Sequence, residues 1–302
     1  MKAFWNEIRT HIEQRNPECL LIAEWGSPTD AIDSGFNLDF LLHSHNSAYT
    51  SLFRHEKGRN TTRLWVGKSY FSKDGKGDIN EYLDRYLYDL KNVKEKGYIG
   101  MITGNHDMQR LAYKRDTDEI KTAMVFLFTM PGVPFVYYGD EIGMRYVENL
   151  TTVEGGYDRT GSRSPMQWDK TLNAGFSLAS PEKLYIKQDE SDDRPDAETQ
   201  MADENSLYNE IRKLISIRHS HSALGNNSEI EFIYAEKNEY PLAFIRSSED
   251  EKILVIINPA DREVSFPCEY KPKEAVYSFG REIAYEDKKI TVPPCSAGFY
   301  RV

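Results

Sequence analysis

The chain has few cysteines: only Cys19, Cys268 and Cys295 among 302 residues, none at a paired spacing. An odd, sparse set gives no disulfide framework and fits a reducing compartment, so the chain as given is expected in the cytoplasm. Basic charge is in deficit, with 38 Lys and Arg against 48 Asp and Glu and a net charge of −10. Such a surface repels phosphate backbones and anionic lipid, which argues against nucleic acid and membrane as partners and makes a neutral substrate the natural one. No apolar run reaches the roughly 20 residues that span a bilayer. The charged, amphipathic Met1–Arg15 segment does not read as a signal peptide. Nor does any Gly-x-Gly-x-x-Gly turn follow an apolar run, which lowers the dinucleotide-binding option.

What is present suits one large domain, or one large and one small: 39% of residues are apolar and 12% aromatic, enough for a sizeable core. Helical spacing of Phe4, Trp5, Ile8, His11 and Ile12 predicts a helix over Met1–Arg15, ended by Asn16-Pro17. Cys19–Ala23 is a continuous apolar run, the pattern of a strand buried on both faces. Phe36–Leu42 is a second strand candidate, and His43–Gly77 reads as a long polar loop. A helix follows over Ile79–Lys96 with Gly97 as its C-cap. Then come a strand at Tyr98–Thr103, a helix at Glu119–Met130, a strand at Val133–Tyr138, a long loop over Ile142–Asp203 and a helix at Asn205–His219.

Beyond Ser222 the texture changes to short β-branched or aromatic runs separated by turns. They lie at Ile230–Tyr234, Leu242–Arg246, Ile253–Asn258, Glu263–Phe266, Ala275–Ser278, Lys289–Val292 and Gly298–Val302, the pattern of a small antiparallel β domain. The expected division is therefore 1–222, alternating strand and helix, and 223–302, a β-sandwich. Alternation builds a parallel sheet, either open and doubly wound or closed into a (β/α) barrel. In a barrel the catalytic groups sit just past the C-terminal ends of strands. Glu24, His106, Asp107, Asp140 and Glu141 all fall there.

Carboxylates delivered to one barrel mouth beside a histidine point to acid/base chemistry on an uncharged substrate. Glycoside cleavage needs a carboxylic acid to protonate the leaving oxygen and anionic charge near the oxocarbenium-like carbon. Glu24 follows an apolar strand and precedes Trp25, a setting whose partial desolvation would raise its pKa and keep it protonated. Taken alone, Glu24 reads more readily as an N-cap or loop salt bridge, and His106 more readily as a structural histidine; the set together carries the reading.

Residues 101–110, with Asn105-His106-Asp107, resemble the motif after the seventh barrel strand of the α-amylase family of glycoside hydrolases. Leu20–Trp25 resembles that family's fifth-strand segment, whose glutamate is the proton donor, and Pro131–Gly143 looks like its eighth strand. Gly161–Asp169 is similar to a loop of the oligo-1,6-glucosidase, α-glucosidase and trehalose-synthase-like branch. Between Glu24 and His106 there is room for two strand–helix units of roughly 30 residues or more each.

The resemblance implies a partial (β/α)8 barrel, about strands five to eight, followed by the C-terminal domain. It implies Glu24 as acid/base and Asp107 as the carboxylate that binds the sugar hydroxyls and stabilises the distorted ring. His106 would bond the same sugar, and Trp25, Arg163 and Tyr138 would line the substrate site; Arg163 reads equally as a loop salt bridge. No cofactor or metal is implied for these residues. A calcium-binding insertion, where the family has one, lies among the earlier strands.

The family's nucleophile is an Asp after the fourth strand, in a motif like Gly-Phe-Arg-x-Asp upstream of the acid, and would lie before Met1. Gly35-Phe36-Asn37-Leu38-Asp39 imitates that motif, but it follows Glu24, has Asn37 in place of Arg, and matches the sixth strand better. A retaining mechanism needs two carboxyl groups about 5–5.5 Å apart, so the chain alone is expected to have negligible glycosidase activity. Unpaired strand edges would invite self-association or pairing with the other barrel half. Three further readings stand beside hydrolysis of malto- or isomalto-oligosaccharides or starch: glucosyl transfer or isomerisation of the trehalose-synthase kind, a non-catalytic glucan-binding subunit, and, more distantly, a dehydrogenase.

Overall fold

The computed structural model describes residues 2–42, 49–53, 69–151 and 157–302. Its first part winds as helix α1 (Lys2–Glu13), strand β1 (Ile22–Ala23), α2 (Pro28–Asp33), β2 (Leu38–Phe40), α3 (Thr50–Phe53), α4 (Asn80–Val93), β3 (Tyr98–Ile102), α5 (Thr117–Thr129) and β4 (Val133–Phe135). The four strands form one parallel sheet in the order β1-β2-β3-β4, with Ile22 opposite Leu38, Leu38 opposite Tyr98 and Gly100 opposite Val133. A doubly wound sheet reverses its strand order at a switch point. These strands run in chain order with helices in the connections, which is a sector of a (β/α) barrel.

The strands are shorter than the apolar runs that announce them. Cys19–Ala23 pairs only at Ile22–Ala23, and it is not buried on both faces: Leu20 is 66% and Ile22 49% exposed. Among the described residues β1 has one neighbour, β2, so an edge strand carries a sequence that reads as central. Gly97 is not the cap of α4. That helix ends at Lys94, and Glu95 takes the left-handed conformation at φ 66°. Gly97 instead permits a close approach, since a Cβ there would meet the Asn37 carbonyl at 2.7 Å and Ile32 Cδ1 at 2.5 Å. Within the expected polar loop 43–77, residues 43–48 and 54–68 lie outside the described residues. The described parts bury Tyr49, Leu52, Phe53, Tyr70 and Phe71 in the main core.

Helix α5 begins at a capping box, in which the Asp116 side chain accepts the Glu119 amide and the Glu119 side chain accepts the Asp116 amide. Its apolar length is buried against α7 (Leu207–Ser220) and the C-terminal sheet. Its last carbonyls are taken by two buried arginines: Arg218 donates to Phe128 O at 2.7 Å and Met130 O at 3.1 Å, and Arg246 donates to Thr129 O. The loop after β4 contains short 3-10 turns and α6 (Ala197–Ala202); residues 152–156 of it lie outside the described set.

Eight strands follow: β5 (Glu229–Tyr234), β6 (Leu242–Ser247), β7 (Lys252–Asn258), β8 (Val264–Pro267), β9 (Ala275–Phe279), β10 (Ala284–Glu286), β11 (Lys289–Val292) and β12 (Ser296–Arg301). They make a five-stranded sheet, β5-β6-β7-β12-β9, and a three-stranded one, β10-β11-β8, both antiparallel. Ala243, Ile245, Leu254 and Ile256 meet Phe266, Ile290 and Val292 across the two sheets. The alternate residues Leu242, Phe244, Ile253, Val255 and Ile257 join the core that contains α5. Strands β6 and β7 are thus covered on both faces, which is why their sequences lack polar alternation. The sequence reading passes over β10, a three-residue strand.

Candidate active site

Three segments just past strand ends build the site. Glu24 and Trp25 follow β1, Asn105–Asp107 follow β3, and Tyr138–Glu141 follow β4. The functional atoms of Glu24, His106 and Asp107 all lie within 4.8 Å of one another. Residues far apart in sequence thus converge where the strand-end placement puts them.

The Glu24 segment is held from below by Asp39. That carboxylate is fully buried in β2; it accepts the Trp25 amide at 2.9 Å and the Gly26 amide at 3.4 Å on one oxygen, and the Ser27 amide at 2.8 Å on the other. Burial pushes the Asp39 carboxyl up, against the opposing pull of the amides of Trp25, Ser27, Phe40 and Gly26. Both oxygens are committed to backbone, so the Gly35–Asp39 segment supplies a loop anchor instead of an attacking group. Glu24 itself is exposed, which corrects the desolvated setting read from its apolar neighbours; a short edge strand does not cover the residue that follows it. The Trp25 ring is 40% exposed and stands edge-on to Phe36 at 6.4 Å.

Asp107 is oriented by its own turn and by a guanidinium. Its amide donates to Asn105 Oδ1 at 2.8 Å. Arg163 Nη2 donates to Asp107 Oδ1 at 2.9 Å, and Arg163 Nε donates to the His106 carbonyl at 2.9 Å. The fork therefore grips two adjacent residues at once, and the salt bridge read for Arg163 lies inside the site. His106 Nε2 stands 3.5 Å from the same Asp107 oxygen. Two carboxylates and an imidazole this close are also a donor set a cation accepts, but the Arg163 charge on Asp107 already supplies positive charge there.

Tyr138 is part of the wall. Its hydroxyl donates to the Ser164 carbonyl at 2.8 Å, and its own carbonyl accepts Arg110 Nη1 at 2.6 Å. The Arg110 guanidinium lies 4.7 Å from the Tyr138 ring centre and 3.8 Å from Asp140, with both charged groups fully buried. Sequence reasoning did not single out Arg110, and it named Asp39 only as the end of a segment that imitates the nucleophile motif; a buried charge beside a strand end leaves no periodic signal. From Arg163 and Tyr138 a cleft of about 460 Å³ opens over Glu141, Met166, Trp168 and Tyr185. Burial raises the Glu141 carboxyl there. The arrangement offers a proton donor and acceptor pair, a fixed anion and an aromatic wall, a set suited to acid/base chemistry on a neutral polyol.

Comparison with known proteins gives the family. Residues 1–227 match the family model described as alpha amylase, catalytic domain, and residues 230–298 match maltogenic amylase, C-terminal domain. The chain is 24% identical over 276 residues to a maltogenic alpha-amylase of Bacillus acidopullulyticus, covering 90% of this chain and 37% of that protein. It is 27% identical over 251 residues to an oligo-1,6-glucosidase of Parageobacillus thermoglucosidasius, covering 70% and 44%. Among solved structures, an inactive MutB double mutant in complex with isomaltulose superposes with a TM-score of 0.79 at 20% identity, over 99% of this chain and 58% of that one. The chain thus spans less than half the length of each of these two curated relatives. With three quarters of its residues matched by the catalytic-domain model, the chain belongs to the alpha-amylase family.

Proposed function

We propose that this chain carries the acid/base half of a retaining site for α-glucosidic bonds in malto- or isomalto-oligosaccharides or starch. Glu24 protonates the glycosidic oxygen. Asp107 accepts hydrogen bonds from the sugar hydroxyls, and its charge favours the oxocarbenium-like transition state. His106 bonds the same sugar, Arg163 holds Asp107 in place, and Trp25 and Tyr138 flank the ring. The exposure of Glu24 fits this scheme, because it leaves the carboxyl open to the sugar that displaces water from it. The observation that carries the reading is the convergence of Glu24, His106 and Asp107 within 4.8 Å.

The nucleophile is expected on a barrel strand preceding β1, since Asp39 is spent on amides. Residues acting as one catalytic unit are strongly non-additive. Residues 1–302 alone are therefore expected to bind maltose or isomaltose in calorimetry, to lose that binding in Asp107→Asn, and to release glucose no faster than buffer. Enzyme-level turnover would overturn the nucleophile assignment, and absence of any sugar binding would overturn the site.

Glucosyl transfer is the second reading. It is favoured by 34% identity over 169 residues, 53% of this chain and 26% of the relative, to the trehalose synthase/amylase TreS of Mycolicibacterium smegmatis. The same residues serve both reactions and only the acceptor differs, water or sugar. Trehalose among the products formed from maltose by a protein that includes the preceding strands would decide for transfer.

A further inference from the structure

Arg163 reaches the site from a loop, and a loop places a side chain only as well as its own backbone is held. The guanidinium acts through geometry: it must meet Asp107 Oδ1 and the His106 carbonyl together, each at 2.9 Å. The residues beside Arg163 therefore decide whether the fork closes on its two partners.

Both of those residues are tied to the end of β4. The Tyr137 hydroxyl donates to the Ser162 carbonyl at 3.2 Å, and the Tyr138 hydroxyl donates to the Ser164 carbonyl at 2.8 Å. Two consecutive tyrosines thus pin the backbone on either side of the arginine. Ser162 and Ser164 are fully buried. One residue earlier, Gly161 packs directly on backbone: a Cβ there would overlap the Val147 carbonyl, and the Val147 amide donates to Gly161 O at 3.2 Å.

The tyrosines are themselves held. Their rings meet at 4.7 Å and 60°. The buried Arg110 guanidinium lies 5.1 Å from the Tyr137 ring centre and 4.7 Å from that of Tyr138. The Tyr137 amide donates to Thr103 Oγ1 at 3.0 Å, just past β3 and two residues before Asn105. Tyr137 therefore grips both sides of the Arg163–Asp107 contact. Its hydroxyl holds the arginine's loop, and its amide holds the segment that leads to Asp107. Burial pushes the Tyr137 phenol up, which keeps the hydroxyl a donor across the range in which sugars are titrated.

We propose that Tyr137 is a positioning residue for the sugar site: its hydroxyl, with that of Tyr138, sets the backbone around Arg163 so that the guanidinium locks Asp107. Its effect on sugar rests on reading Asp107 as the carboxylate that grips the ring. The geometry it claims needs no sugar.

Two measurements test this. Calorimetric titration of the full chain with maltose reads the consequence. Tyr137→Phe is expected to weaken maltose about fivefold, the worth of one hydrogen bond, and Arg163→Gln to weaken it at least as much. The double variant should bind no more weakly than Arg163→Gln, because nothing is left to position. Wild-type affinity in Tyr137→Phe, or losses that multiply in the double variant, would overturn the inference. Exchange of the Arg163 Nε–H with water, followed by proton NMR and assigned by its absence in Arg163→Gln, reads the geometry alone. Tyr137→Phe is expected to speed it about fivefold and to leave the Nε–H of Arg115, which donates to Phe71 O at 2.7 Å, unchanged. Tyr138→Phe, which cuts the tie at Ser164, should do the same. Unchanged Arg163 exchange in both variants, or equal acceleration at Arg115, would mean that the hydroxyls do not position the arginine. Faster exchange at Arg163 alone, in a protein that binds no maltose, would keep Tyr137 as its positioning residue and sink the sugar reading of the site.

Discussion

Replacing Asp39 with alanine gives the sharpest view of how the fold holds the acid. The two short contacts, from the amides of Trp25 at 2.9 Å and Ser27 at 2.8 Å, are part-buried and would lose an acceptor that is itself fully buried. A buried donor left unsatisfied costs about 1–3 kcal/mol, so two such donors put the loss at about 2–5 kcal/mol after partial relaxation. Asp39→Asn keeps one acceptor oxygen and escapes the cost of burying charge, so its loss should be smaller, about 1–2 kcal/mol. Urea unfolding followed by tryptophan fluorescence measures both. The segment that carries Glu24 and Trp25 would also loosen, and affinity for maltose should fall with stability in the order wild type, Asp39→Asn, Asp39→Ala. An alanine variant as stable as wild type, with unchanged sugar affinity, would refute the claim that Asp39 anchors the acid.

Three other expectations follow from the fold. Burial works to raise the Asp116 carboxyl, but the Lys73 ammonium and the Glu119 and Asp118 amides more than reverse this and leave it below the usual range. Its contribution is therefore complete above the ordinary carboxylate pKa and is lost as pH falls through its lowered value; Asp116→Ala should cost about 1 kcal/mol at neutral pH and flatten that acid limb in a pH series of unfolding curves. Gly100 lies under Phe40, and a Cβ there would come within 2.4 Å of the ring, so Gly100→Ala should cost about 1–3 kcal/mol in urea unfolding and be partly rescued by Phe40→Leu. The outer edges of β1 and β4 have no strand partner among the described residues, and sedimentation at rising concentration is expected to show dimers or larger species; a concentration-independent monomer would contradict this.

Much of the site was legible because barrel chemistry is tied to a local grammar. An apolar run ends and a polar residue follows, and this placed Glu24, His106 and Asp107 together before any coordinates did. Arg163 could be suspected but not assigned, since its partner lies far away in sequence and only the folded loop brings the guanidinium to Asp107. What sequence patterning misread was burial. Periodicity cannot say whether a strand is central or at an edge, so Cys19–Ala23 looked doubly covered and Glu24 looked desolvated. The resemblance of Gly35–Asp39 to a nucleophile motif dissolved for a similar reason: a carboxylate buried under a turn and one poised at a sugar have the same letters. The aromatic cleft was invisible because Trp168, Phe176 and Tyr185 show no repeat, and an aromatic residue in a loop announces neither core nor surface.

The most direct test of the site is a double-mutant cycle read with a cationic sugar mimic, 1-deoxynojirimycin, titrated into wild type, Glu24→Gln, Asp107→Asn and the double variant. We expect each single change to weaken binding and the two to be non-additive, as for neighbouring charges that grip one ligand. Full affinity in the double variant, or strictly additive small losses, would mean that Glu24 and Asp107 do not share a sugar.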